Sequence, residues 1–100
     1  MPQNIPAGWT QTDNSLTRTI KRADFVEALA LVVEIGKVAE AVNHHPDIDI
    51  RYNTVHLKLT SHEAGNTVTS KDFDLAQKIN DLEEEAIRLT FIDLRRRFAS

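Results

Sequence analysis

The sequence predicts an α+β protein: a two-layer sandwich with a four-stranded antiparallel sheet, element order β-β-α-β-β-α, helices packed on one face and an extended C-terminal helix. Three observations carry this reading. Two stretches alternate apolar and polar residues in pairs joined by turn residues, which is how hairpins read. One segment, 24–42, keeps apolar residues at helical spacing. A second helical pattern runs through residues 70–98 to the end of the 100-residue chain. Strands that come in hairpins make an antiparallel sheet, and the helices must then cover its apolar face.

Residues 1–8, with Pro2, Pro6 and Gly8, form an irregular lead-in. Trp9 to Thr12, the turn pair Asp13-Asn14 and residues 15–21 read as the first hairpin, since Asp and Asn tolerate the conformations of a tight turn. In its second strand Leu16, Arg18 and Ile20 share one face and Thr17, Thr19 and Lys21 the other. Asp24 followed by Glu27 resembles a capping box at a helix start. Phe25, Ala28, Leu29, Val32, Ile35, Ala39 and Val42 then trace an amphipathic helix, which should stop near Asn43 because Pro46 steers His45 away from helical geometry. Ile48, Ile50 and Tyr52 alternate with polar residues, Asn53-Thr54 reads as a turn, and Val55, Leu57 and Leu59 alternate again. Residues 63–66 form a loop. Thr69 or Ser70 can cap the next helix, with Asp72 in its first turn. Apolar positions 75, 79, 82, 86 and 89 continue at helical spacing, while Ile87, Phe91, Leu94 and Phe98 form a second stripe that drifts from the first. Residues 70–98 are therefore one long helix or two joined near Asp81. The second stripe needs cover, either from another copy of the chain or by folding back on its own domain.

The chain length fits one domain over residues 1–100, with residues 81–100 as a helical extension. Composition narrows the function. Twelve Lys and Arg against fifteen Asp and Glu give a net charge of −3, which argues against nucleic acid as a direct partner. With no cysteine, disulfides, thiolate metal sites and thiol nucleophiles are excluded. The N-terminal segment has no apolar stretch of the signal-peptide kind, and the apolar run 28–33 is too short to cross a bilayer, so a cytoplasmic protein without a membrane partner is expected.

All four histidines fall between residues 44 and 62: His44, His45, His56 and His62. Neighbouring residues on a helix or strand diverge, so His44 and His45 cannot easily chelate one ion. Where a helix ends before a proline, however, both rings can line one pocket from different directions. A helix C-terminus favours cations, and histidine is the side chain best suited to exchange protons near neutral pH. His56 reads as a polar residue on the outer face of its strand. No zinc-type spacing of histidines with a carboxylate occurs, and Gly8, Gly36 and Gly65 are isolated, so neither a metal nor a phosphate loop is indicated. The residues alone point to a proton-transfer site.

A wider pattern goes further. Glu40, then His44-His45-Pro46, then Tyr52, His62 and Asp72, with intervals of three, five, nine and nine residues, resembles the active-site signature of the pterin-4a-carbinolamine dehydratases. Gly8-Trp9, Tyr52-Asn53-Thr54-Val55-His56-Leu57, Thr60-Ser61-His62-Glu63-Ala64-Gly65 and Asp72-Phe73-Asp74-Leu75-Ala76 resemble the flanking segments of that family. The likeness spans about residues 7–80 and says nothing of the tail. It implies dehydration of a 4a-hydroxytetrahydropterin to the quinonoid dihydropterin, with no metal or organic cofactor. It implies His44, His45 and His62 as the acid–base residues, His44 and His62 foremost. Asn43, Pro46, Thr60, Ser61, Glu63 and Trp9 would then contact the pterin, Trp9 being equally readable as a core residue. Glu40, one helical turn before His44, and Asp72 would orient imidazole rings. The resemblance also implies a homodimer or homotetramer. Some relatives on this fold are binding or assembly proteins, and a non-catalytic role is the alternative reading.

Overall fold

The computed structural model describes residues 4–99; the first residues of the expected lead-in and Ser100 lie outside them. Strands β1 (Thr10–Gln11) and β2 (Leu16–Lys21) form the first hairpin. Helix α1 (Phe25–Val42) follows, then the hairpin of β3 (Asp47–Arg51) and β4 (Thr54–Leu59). A short 3₁₀ turn (His62–Ala64) leads to α2 (Ser70–Asn80) and α3 (Glu84–Phe98). The four strands form one antiparallel sheet in the spatial order β1-β2-β4-β3. The expected α+β architecture is the one observed.

The period-two pattern places side chains as expected. Leu16, Val55, Leu57 and Leu59 face the helices and are buried, while Thr19, Lys21, His56 and Lys58 are exposed on the other side. Ala28, Leu31, Ile35 and Ala39 of α1 and Leu75, Ala76 and Ile79 of α2 close the core over them. At about 1.5–3 kcal/mol for each large apolar side chain buried, these contacts dominate the fold. Arg18 points to the helix side, where its guanidinium donates to Asn80 Oδ1. The same oxygen accepts the Trp9 indole N–H at 2.9 Å, and Asn80 Nδ2 donates to the Ala7 carbonyl at 2.9 Å. One asparagine at the end of α2 thus anchors the N-terminal segment.

Three local readings change. The second hairpin turns at Tyr52-Asn53, one residue before the expected Asn53-Thr54, because Arg51 pairs with Thr54. Tyr52 takes a left-handed φ of 53° there. Only half of the capping box at Asp24 forms. Asp24 Oδ1 accepts the Glu27 N–H at 2.9 Å, whereas the Glu27 carboxylate turns to Arg22 at 2.9 Å. The C-terminal pattern resolves into two helices with a break at residues 81–83, where Leu82 N–H returns to the Ile79 carbonyl.

That break lets α3 leave the sheet and pack on α1. Ile87 is buried, Phe91 and Leu94 are half-buried against the core, and Phe98 stays exposed. The drifting stripe therefore folds back on its own chain over most of its length. Three polar ties fix α3, one of them Arg95 to Asp24 at 3.4 Å. Arg22 donates two hydrogen bonds to Glu84, at 3.0 and 2.9 Å. Glu34, which is 7% exposed, accepts the Thr90 hydroxyl at 2.7 Å and pairs with Lys37 at 2.9 Å. Among the described residues no helix is long and apolar enough to cross a membrane.

Candidate active site

The site begins with the way α1 stops. Asn43 adopts a left-handed φ of 53°, a conformation that Asn tolerates better than most residues. Its N–H reaches the Glu40 carbonyl at 3.2 Å, and His44 N–H reaches that of Ala39 at 3.1 Å, the paired bonds of a Schellman ending. The chain reverses over Asn43, and the two histidines separate. His44 turns inward and is 8% exposed, while His45 faces solvent.

Behind His44 stands Asp72, fully buried. His44 Nε2 lies 2.6 Å from Asp72 Oδ1. Oδ2 of the same carboxylate accepts from Ser61 Oγ at 2.8 Å and from the Thr69 N–H at 2.9 Å. The second of these bonds is the capping contact at the N-terminus of α2, where an acidic residue is favoured by the exposed N–H groups. Ser61, itself fully buried, also shares a 2.6 Å bond with Thr69 Oγ1. A buried carboxylate is costly unless its lone pairs are engaged, and here four polar groups from three parts of the chain, α1's exit, the β4–α2 loop and α2's first turn, converge on it or its neighbours.

His62 opens the 3₁₀ turn after β4. A tight loop, with Ser61 N–H bonded to Thr67 O at 3.0 Å and Gly65 and Asn66 both at positive φ, brings it back toward His44. His62 Nδ1 donates to Asn66 Oδ1 at 2.7 Å. Its other ring nitrogen, Nε2, then carries a lone pair while the ring is neutral. His45 Nε2 meets Glu40 Oε2 at 2.6 Å. Glu40 therefore serves His45, not His44 as its helical spacing suggested, because the reversal at Asn43 swings His44 away from the helix side.

A cavity of about 310 Å³ is lined by Asn43, His44, His45, Thr60, His62, Glu63 and Lys71. A neighbouring space of about 250 Å³ shares Thr60 and His62 with it and adds Asn14, Asp47, Lys58 and Asn66. Of the expected site residues, the three histidines, Asn43, Thr60 and Glu63 thus share one pocket. Asp72 and Ser61 lie behind its wall, and Glu40 stands beside it through His45. Pro46 is half-buried and is not part of the lining. Trp9, 6% exposed, belongs to the core. Tyr52 of the motif is exposed in the hairpin turn, at the far end of β3 and β4 from the pocket. His56 lies on the outer sheet face, bonded to Thr19 Oγ1 at 2.9 Å.

Five lining residues are not indicated by the sequence, Asn14, Asp47, Lys58, Asn66 and Lys71, and two of them hold other site residues. Lys71 pairs with Glu63 at 3.0 Å, and Asn66 holds His62. Neither has a spacing signal; only the folded loop brings them there. The Glu63 carboxyl is held below the usual carboxylate range by its own backbone N–H and by the Lys71 ammonium. The pocket thus offers imidazoles, a fixed carboxylate, an ammonium and a hydroxyl. Among the described residues no three His, Asp or Glu side chains are grouped to hold a metal ion.

An antiparallel α+β domain whose pocket is made of paired histidines backed by carboxylates defines a class, and comparison with known proteins names it. Residues 2–82 match the family described as Pterin 4 alpha carbinolamine dehydratase. A protein of Roseiflexus sp. is 48% identical over 75 residues, covering 75% of this chain and 80% of its own. One of Thermomicrobium roseum is 49% identical over 80 residues, covering 80% and 84%. Both are provisionally named pterin-4-alpha-carbinolamine dehydratases. The crystal structure of a transcriptional coactivator/pterin dehydratase from Brucella melitensis superposes with a TM-score of 0.68 at 33% identity, over 74% of this chain and 80% of that one. A pterin dehydratase-like RuBisCO assembly factor of the alpha-carboxysome shares the fold, with a TM-score of 0.57 at 12% identity over 71% and 81%. The chain belongs to the pterin-4a-carbinolamine dehydratase family.

Proposed function

We propose that the chain catalyses loss of water from a 4a-hydroxytetrahydropterin, giving the quinonoid dihydropterin, and so returns the pterin to a redox cycle. The observation that carries this reading is the pairing of two pocket histidines with unlike partners: His44 against a buried carboxylate and His62 against a neutral amide. Dehydration breaks the C4a–O bond and forms a C4a–N5 double bond. It needs a proton delivered to the leaving hydroxyl and another removed from N5.

His44 is the better donor. Asp72 balances the charge of its ring while the ring holds two protons, and is itself held by Ser61 and Thr69. His62 is the better acceptor, since Asn66 fixes its Nδ1–H and leaves Nε2 free. Each turnover consumes one proton and releases one, so exchange with solvent resets both rings. His45, exposed and paired with Glu40, exchanges protons at the pocket mouth. Asn43, Thr60 and Glu63 supply donors and acceptors for a heterocycle rich in N–H and carbonyl groups. No cofactor enters the scheme. The copies of the chain assemble as a homodimer or homotetramer in the cytoplasm.

The test is a dehydratase assay on purified protein with the 4a-carbinolamine generated in situ. Dehydration well above the spontaneous rate is expected. A rate no faster than the spontaneous one would contradict the enzymatic reading and leave a binding or assembly role on the same fold.

A further inference from the structure

Helix α3 lies beyond the residues that the family shares, and it carries two stripes, not one. The inner stripe packs on α1. The outer one, Glu85, Leu89, Ile92 and Arg96, is exposed, with Leu89 at 62% and Ile92, which also edges a cavity beside Phe91, at 44%. Its intervals of four, three and four residues keep it on a single face, with the spacing of a helix-pairing seam. The charges along the helix are divided: Glu84 and Glu85 in the first turn, Arg95, Arg96 and Arg97 in the last. Their neighbours within the chain are unevenly shared. Glu84 is held by Arg22, Arg95 by Asp24 and Arg97 by Asp93. Glu85 and Arg96, the two charges on the outer face, make no ion pair with another described residue.

We infer that this face binds the same face of a second copy of the chain, with the two α3 helices antiparallel about a two-fold axis. The register follows from the sequence. If Leu89 stands against the partner's Ile92, the contact is centred between Thr90 and Phe91, and the same centring sets Glu85 against the partner's Arg96. Symmetry repeats each pair, so the seam holds two apolar contacts flanked by two ion pairs, and nothing on it is left unmatched. A parallel pairing would set Glu85 on Glu85 and Arg96 on Arg96, which is repulsive. A uniformly acidic or basic partner would suit one end of the helix and oppose the other. An isologous contact between identical copies satisfies both ends. The seam is short, so the association is reversible and depends on concentration.

This inference does not rest on the dehydratase reading, because none of the four residues lines the pocket. Sedimentation analysis of the full-length protein tests it, with far-UV dichroism to verify folding. Glu85→Arg alone and Arg96→Glu alone should each weaken self-association by about tenfold, each change acting twice through the two-fold axis. The double variant Glu85→Arg/Arg96→Glu should return to within about threefold of wild type, because the pairs are re-formed with exchanged signs. Leu89→Asp should abolish the contact. Dehydration per chain should be unchanged in all four. A double variant no tighter than the single ones, association indifferent to Leu89→Asp, or a wild type that stays monomeric at all concentrations would overturn the inference.

Discussion

Two buried carboxylates, Asp72 and Glu34, use the same physical device for different ends. Each is almost wholly removed from water, and each is compensated by hydrogen bonds. Asp72 accepts from Ser61 and the Thr69 N–H behind the pocket and presses on His44, which lines it. Glu34 accepts from Thr90 and pairs with Lys37, so its reach is across α1 to α3, outside the shared family segment. A buried charge demands satisfaction wherever it sits. In one place that demand orients an imidazole; in the other it fastens a helix. Disturbing either should cost stability, and only disturbing Asp72 should cost activity.

The largest effect is expected at Asp72. Asp72→Asn keeps the shape but removes the charge that faces His44, and dehydration should fall about 10- to 100-fold while the far-UV spectrum is kept. Full activity in this variant would dissolve the distinction. Thr90→Val removes the hydroxyl that Glu34 accepts from. Stability should drop by about 1–2 kcal/mol, a fall in Tm of roughly 4–8 °C per kcal/mol for a domain of this size, with dehydration per folded chain unchanged. Activity falling in step with stability at temperatures where the variant remains folded would couple the two regions.

Glu34 also sets an acid limb. Burial works to raise its pKa, but the Thr90 hydroxyl and the Lys37 ammonium outweigh that and hold it below the ordinary value. A carboxylate depressed in the folded state stabilises the fold above its unfolded pKa, about 4.3, and loses that contribution as pH falls through the folded value. Denaturant titrations at descending pH should therefore show wild type losing more stability below about pH 4.3 than Glu34→Gln does. Equal losses would mean that Glu34 is not the group responsible. The smallest expected effect is none: prolonged chelation should leave both activity and Tm unaltered, and a metal ion lost together with activity would refute the metal-free scheme.

Both halves of this comparison bear on what a sequence can reveal. The two hairpins, the span of α1 and the β-β-α-β-β-α order were legible because periodicity follows from burial on one face, whereas the pairing of β2 with β4 was not. The gathering of His44, His45 and His62 was legible through the spaced motif. The partner of Glu40 was not, because the left-handed Asn43 rotates His44 inward and offers His45 to the helix side. Lys71 and Asn66 were hidden for a related reason: a loop closed by Ser61 and Thr67 determines what meets His62, and loop closure leaves no period. Tyr52 reads as strand because it continues the alternation of Ile48 and Ile50, and its place in the turn rests on a positive φ that a bulky aromatic seldom takes. Glu34 passed unnoticed among the polar positions of α1, since its partner is on a helix whose packing depends on a break at residues 81–83 that no glycine or proline marks.

The central claim is that His44 and His62 divide the proton transfers of dehydration. It is tested most directly by the dehydration rates of His44→Ala and His62→Ala beside wild type, at matched concentration of folded protein and corrected for the spontaneous reaction. Each single variant should lose about 10²-fold or more of the catalysed rate while keeping the wild-type far-UV spectrum. Two folded variants that both retain the wild-type rate would contradict the account.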